Sequence, residues 1–189
     1  MDAPDAWADE AEQQILTAAL RHAPVQGWSG RMLAAALGDA GFTAAEGELL
    51  LPYGPRDLAA LLARRHDAQA MAALAAIDPQ ALKVRERIRR AVLARTEAAA
   101  AEAPAIRNWA GFLSLPGNLP LALRLVWASA DQLWRWAGDT ATDENHYSKR
   151  AILAEILVTT LAIQLSAGAN AAAAHLDGRI EAVMAFEKW

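Results

Sequence analysis

Apolar residues recur along this chain at intervals of three and four. Ile15, Ala18, Ala19 and His22 fall on one helical face, and Val84, Ile88, Ala91, Val92 and Arg95 fall on another. No stretch sustains the strict alternation of a half-buried strand, so the pattern predicts an all-α protein. The punctuation is supplied by Pro24 with Gly27, Gly38 and Gly41, Pro52 with Gly54 and Pro55, Pro79, Pro104, Pro116 with Gly117, Gly138 and Gly168. These breaks divide the chain into roughly eight or nine helices.

In the first 65 residues short helices are expected at about 10–23, 30–37 and 43–50, with a longer one opening near Arg56. This is helix-turn-helix spacing. The run Ile15 to Leu20, then Gly27-Trp28, Leu33-Ala34, Ala40 to Thr43, and Tyr53 ahead of Arg56-Asp57-Leu58 resembles the N-terminal module of TetR-type regulators. The organisation expected is therefore a helix-turn-helix-like module over 1–65, followed by a helical ligand-binding and dimerisation region over 66–189. The charge of the module does not suit DNA. Residues 1–65 hold five arginines against nine carboxylates, a net −4, and the stretch that would read bases, Thr43 to Leu50, offers Glu46 and Glu48. Phosphate neutralisation and base-edge contacts need the opposite chemistry, so no nucleic-acid partner is expected.

The most distinctive pattern lies between Leu119 and Ala137. Asn118 stands at the N-cap position, Pro120 sits in the first turn, where a missing N–H costs little, and Gly138 ends the helix. Its polar residues Arg124, Asp131, Gln132 and Arg135 occupy a narrow stripe, with Asp131 and Arg135 at ion-pair spacing. Leu119, Leu121, Leu123, Leu125, Val126, Trp127, Leu133, Trp134 and Trp136 cover most of the remaining circumference. One core-facing stripe does not need that width, so a second apolar partner is implied.

Composition narrows the class. The chain has 189 residues, of which 54% are hydrophobic and 21% charged, with seven tryptophans and a net charge of −4. That is globular, and the negative balance opposes non-specific attraction to nucleic acid or anionic membrane. The absence of cysteine excludes disulfides, thiolate metal sites and thiol nucleophiles. The acidic first dozen residues, Asp2, Asp5, Asp9, Glu10 and Glu12, are unlike a signal or transit peptide. They predict a cytoplasmic or already processed protein, and the localisation expected is the bacterial cytoplasm with at most peripheral contact with the inner membrane. The longest apolar stretch, Ala151 to Ala167, is interrupted by Glu155, Thr159, Thr160 and Gln164, against the expectation for a spanning helix. The basic run Lys83, Arg85, Arg87, Arg89 and Arg90 interleaves Val84, Glu86 and Ile88 at helical spacing and reads as a solvated face.

Catalytic chemistry finds no foothold in the pattern. Neither a nucleophile elbow, nor a P-loop, nor a dinucleotide glycine turn occurs. A di-iron bundle needs two Glu-x-x-His pairs, whereas the residues three before His22, His66, His146 and His175 are Ala19, Ala63, Asp143 and Ala172. The expectation is a protein that is not an enzyme and carries no cofactor or metal.

Three stretches carry a specific resemblance. They are Leu115 to Pro120, Asp131 to Asp139, and Thr142 to Ala151, and together they look like the coenzyme Q biosynthesis accessory family, the ninth Coq protein. With the N-terminal pattern from Ile15 to Trp28 the likeness spans nearly the whole chain. The resemblance implies a TetR-like fold without DNA binding and a homodimer. It also implies a hydrophobic pocket for an isoprenoid quinone intermediate or phospholipid, and a protein partner, the di-iron hydroxylase that modifies demethoxyubiquinone. On this reading the lipid-facing candidates are Trp109, Leu113, Leu119, Leu123, Val126, Trp127, Ala130 and Ile156. The partner-facing candidates are Asn118, Asp131, Trp134, Gly138, Asp139, Asp143, Asn145 and Tyr147. Gly117, Ala141 and His146 depart from the residues common in the family at those positions. The alternative from a different class is a TetR-like, ligand-responsive transcriptional regulator.

Overall fold

A computed structural model describes residues 4–139 and 144–186. Among them are nine α-helices and no strand. The helices are α1 (Pro4–Gln26), α2 (Gly30–Ala40), α3 (Ala44–Leu50), α4 (Pro55–Leu74), α5 (Val84–Ala100), α6 (Ala103–Leu113), α7 (Leu119–Trp136), α8 (Glu144–Ala167) and α9 (Ala169–Phe186), with 3-10 turns at Pro79–Ala81 and Pro116–Asn118. The all-α class read from the periodicity and the TetR-like organisation implied by the resemblance both hold.

Local signals explain most of the boundaries, with two corrections. Pro24 does not break α1, which continues to Gln26 and stops at Gly27, whose φ is +69°. Gly38 is likewise internal to α2. The helix closes instead at Gly41, in the left-handed region, with Gly41 N–H donating to the Gly38 carbonyl and Phe42 N–H to that of Leu37. α3 opens with a reciprocal cap: Glu46 N–H donates to Thr43 Oγ1 and Thr43 N–H to Glu46 Oε2. Glu46 thus has a structural task in the module that resembles a DNA reader.

The chain forms two compact units. The first comprises 1–65 and 102–122, and the second 66–101 and 123–189. Residues 102–122, which the sequence division put with the C-terminal region, pack with the N-terminal module. In the first unit α1 packs against α2, α3 and α6 around Ile15, Leu16, Met32, Leu58, Leu62 and Ile106. Tryptophans tie this core to backbone: Trp28 Nε1 donates to the Pro55 carbonyl at 2.8 Å and Trp109 Nε1 to that of Ala59 at 3.1 Å. Both rings are buried while their single polar group is satisfied.

In the second unit α5, α8 and α9 pack together around Leu74, Ile88, Val92, Leu133, Leu153, Ile156 and Leu176. The predicted buried face of α5 is observed from Ile88 to Arg95, while Val84 at its start is exposed. The Arg95 guanidinium pairs with Asp67, which also accepts from Ser129 Oγ at 2.7 Å, so the buried charge is compensated. The stretch His146–Ala167 in α8 is long and apolar enough, by length and composition, to cross a membrane. Leu153, Ile156, Leu157 and Thr160 form a buried stripe along it, while only 28% of the apolar window is buried within the described chain.

Candidate functional site

α7 carries the site expected from sequence, and its two ends are built differently. Asn118 does not cap the helix. Its side chain is buried, accepting from Arg56 Nε at 2.8 Å and donating to the Phe112 carbonyl at 2.9 Å, so it organises the first unit from within. At the other end Gly138 has a φ of +88°, with Gly138 N–H on the Arg135 carbonyl and Asp139 N–H on that of Trp134. This is the left-handed stop that glycine permits at least cost. A Cβ there would also come within 3.1 Å of Gln80 Nε2 and 3.3 Å of Arg87 Nη1.

Beyond Gly138 the second unit is held by ion pairs. The predicted Asp131–Arg135 pair forms at 2.6 Å. The larger feature is Arg150 in the second turn of α8, only 1% exposed. Its Nε donates to Asp131 Oδ1 at 2.7 Å, and its Nη1 to Asp139 Oδ2 at 2.8 Å and to the His146 carbonyl at 3.2 Å. Lys149 Nζ adds a 2.7 Å contact to the other oxygen of Asp139. Burial pushes the Asp131 carboxyl up, but hydrogen bonds from Arg150 and Arg135 outweigh it and hold the group below the usual carboxylate range. Asp139 behaves in the same way, burial being outweighed by Lys149 and Arg150. The arrangement clamps the residues on both sides of 140–143.

Trp134 belongs to this clamp. Its Nε1 donates to the Lys149 carbonyl at 3.0 Å, and the Lys149 ammonium lies 5.5 Å from the ring centroid. Trp127, two turns earlier, approaches Tyr147 with ring centroids 6.2 Å apart. Tyr147 is itself 64% exposed. Asp143 and the side chain of Asn145 lie outside the described residues.

The eight lipid-facing candidates fall into two groups. In the first unit Trp109 and Leu113 are core residues and Leu119 is exposed. In the second unit Ala130 and Ile156 are core, Val126 is partly buried against them, Trp127 is half-buried, and Leu123 is 67% exposed. The second unit also contains an apolar cleft of about 80 Å³, whose lining includes Ile156 of the lipid-facing candidates and Trp134 of the partner-facing ones.

Several site residues escaped the sequence reading. Arg150 carried one signal: it shares a helical face with Leu153 and Leu157, so a charge stood where the buried stripe begins. The basic run on α5 is only partly a solvated face. Arg87 donates to the carbonyls of Leu82 and Ala137, and Arg89 pairs with Asp177 of α9 at 2.6 Å. No group of three metal-ligating side chains occurs among the described residues.

An all-α, TetR-like protein with an acidic N-terminal module and an ion-clamped α7–α8 pair is the class these features define. Comparison gives a family match. The COQ9 family model matches residues 119–187, which takes in all of α7, α8 and α9. The mitochondrial ubiquinone biosynthesis protein COQ9 of Bos taurus is 31% identical over 163 residues, covering 80% of this chain and 50% of that protein. The Homo sapiens protein of the same name gives the same figures, 31% over 163 residues with 80% and 50% covered. COQ9-B of Xenopus laevis, also named mitochondrial, is 31% identical over 171 residues, with 83% and 56% covered. Residues 119–187 match the COQ9 family, and the chain spans about half the length of the curated relatives it matches. The names of these relatives overturn one expectation. They are mitochondrial proteins, and the reading of the chain as a bacterial cytoplasmic protein is withdrawn.

Proposed function

We propose that this chain is a non-catalytic, lipid-binding accessory protein of ubiquinone biosynthesis. It takes up an isoprenoid quinone intermediate or a phospholipid and presents the quinone intermediate to the di-iron hydroxylase that acts on demethoxyubiquinone. The family and the names of its relatives support the pathway. The observation that carries the lipid is the apolar surface left open on the second unit's part of α7. There Leu123 stands exposed, Trp127 is half-buried, and the ring of Tyr147 extends the patch at 6.2 Å from Trp127. Exposed leucine and aromatic surface in one place marks a site for an apolar ligand or partner. Exposed Ile152 and Val158 on α8 favour a homodimer through the late helices.

The regulator alternative is less well supported. The N-terminal module carries net −4, and Glu46 of its third helix is engaged in a cap. The test is native mass spectrometry of the purified protein with lipid extraction, alongside measurement of association with the purified hydroxylase. Retained isoprenoid or phospholipid and a defined complex are expected. Lipid-free spectra together with no association would overturn the reading.

A further inference from the structure

The net charge of the chain is confined to one unit. The first unit holds six arginines and no lysine against ten carboxylates, a net −4, while the second holds twelve cations and twelve carboxylates. Within the acidic unit, α3 turns Ala44, Ala45, Glu48 and Leu49 outward at i, i+4 spacing, and Leu49 is 84% exposed. The helix is fixed in this pose. Its first turn is closed by the Thr43–Glu46 cap, and a Cβ on Gly47 would stand 2.5 Å from Leu37 Cδ1, so α3 lies close upon α2. Tyr53 follows in the next turn of chain, 73% exposed, with its backbone N–H donating to Asp57 Oδ2 at 2.6 Å. The Arg56 side chain is bonded to Asn118 and to the Gly117 carbonyl, which lays the turn bearing exposed Leu115 and Leu119 against the start of α4.

Carboxylates edge this apolar surface. Residues 41–60 hold Glu46, Glu48 and Asp57 against one cation, Arg56, two of whose donors are committed to Asn118 and Gly117. Glu48 is exposed and makes no hydrogen bond or ion pair among the described residues. Burial pushes the Glu12 carboxyl up, Arg64 opposes, and Asp9 and Asp57 add to the rise, so three carboxylates of α1 and α4 feel one another near Tyr53.

Charge then decides among the occupants. Duplex DNA and anionic membrane are both repelled by a unit of net −4. A second copy offers either an equally acidic first unit or a neutral second one. A metal ion needs converging ligands, and no group of three ligating side chains occurs among the described residues. A cationic protein segment satisfies both parts of the surface: its apolar side chains cover Leu49 and Tyr53, and its lysines or arginines meet Glu48 and Asp57.

We propose that the α3 face and the Tyr53 turn form a docking site for a basic, amphipathic helical segment of a partner protein. Tyr53 is the anchor, a residue type that often dominates such contacts, and Glu48 sets the orientation. The helix-turn-helix-like module then presents α3 to a protein rather than to a duplex. The site lies wholly in the first unit and needs neither the lipid nor the hydroxylase proposed above.

To test it, p-benzoylphenylalanine is placed at position 53 of the full chain and photo-crosslinked in an extract of the source cells, and the captured segment is identified by mass spectrometry and synthesised. A segment of net positive charge is expected, binding the unaltered chain in isothermal titration and more weakly as salt rises. Its affinity should fall ~tenfold or more in Glu48→Lys and in Leu49→Ser, and a scrambled peptide of the same composition should bind as weakly. Both substituted side chains are exposed, so thermal midpoints stay in place; if Leu49→Ser lowers its midpoint, Glu48→Lys alone decides. Adducts with lipid, with a second copy of the chain, with a neutral or acidic segment, or with nothing would overturn the proposal. Equal affinity of the unaltered chain and Glu48→Lys, or of the captured and scrambled peptides, would overturn it as well.

Discussion

Arg150 of α8 reaches Asp139, just past the end of α7, with Nη1 2.8 Å from Oδ2, and neither side chain is more than 6% exposed. The same guanidinium holds Asp131 at 2.7 Å, so one buried cation fastens two carboxylates that lie on either side of the Gly138 turn. Removing the cation leaves both anions without their main partner. Arg150→Met is expected to lower unfolding free energy by about 3–5 kcal/mol in urea titration. Arg150→Lys, which keeps the charge but cannot serve both carboxylates in the same geometry, should fall between the two. A loss below about 1 kcal/mol in the methionine variant would show that the clamp is not what holds this end of α8.

The clamp also sets an acid limit. Asp131 and Asp139 are held below the usual carboxylate range in the folded chain by their bonds to Arg150, Arg135 and Lys149. Groups with depressed folded values contribute stability that is fully present above the unfolded value and is lost as pH falls through the folded one. Thermal midpoints should therefore be insensitive to these groups above about pH 5 and decline below about pH 4. In Asp139→Asn the decline should be shallower, and an unchanged slope would remove Asp139 from this account.

Trp134 has two separable roles. Trp134→Phe keeps most of the ring area but deletes the donor to the Lys149 carbonyl, and should cost about 1 kcal/mol. Trp134→Ala also empties one wall of the cleft and should cost about 3 kcal/mol or more, with weakened hydroxylase binding. Chemical denaturation of both variants beside binding measurements separates stability from recognition. Equal stability of the two variants would assign the ring no packing role.

Gly138 is constrained twice, by its φ of +88° and by the approach of Gln80 and Arg87 to where a Cβ would stand. Gly138→Ala should destabilise by about 1–2 kcal/mol. A neutral result in urea titration would mean that the turn relaxes to a different stop.

Asn118 separates partner chemistry from scaffold chemistry. Its amide joins Arg56 to the Phe112 carbonyl in the first unit and is 5% exposed. Asn118→Ala should cost about 1–3 kcal/mol while leaving hydroxylase affinity unchanged at temperatures where the variant is folded. A binding loss without a stability loss would return Asn118 to the partner surface.

What the sequence determined by itself is local. Helical period, the Gly41 and Gly138 stops, the Thr43–Glu46 cap and the Asp131–Arg135 pair were legible or follow from residues within about one turn of each other, where backbone geometry alone decides who meets. The motif residues from Asp131 to Asp139 and Thr142 to Ala151 also marked the α7–α8 region. The tertiary structure decided the rest. It turned Asn118 away from the helix it seemed to cap and towards Arg56, 62 positions away. It brought Arg150 to Asp131 across 19 positions and Arg89 to Asp177 across 88. It spent the indole N–H of Trp134 on its own chain, leaving the ring as a wall rather than a free edge. Such pairings depend on which helix faces pack together, and periodicity reports only that a face is apolar, not what covers it.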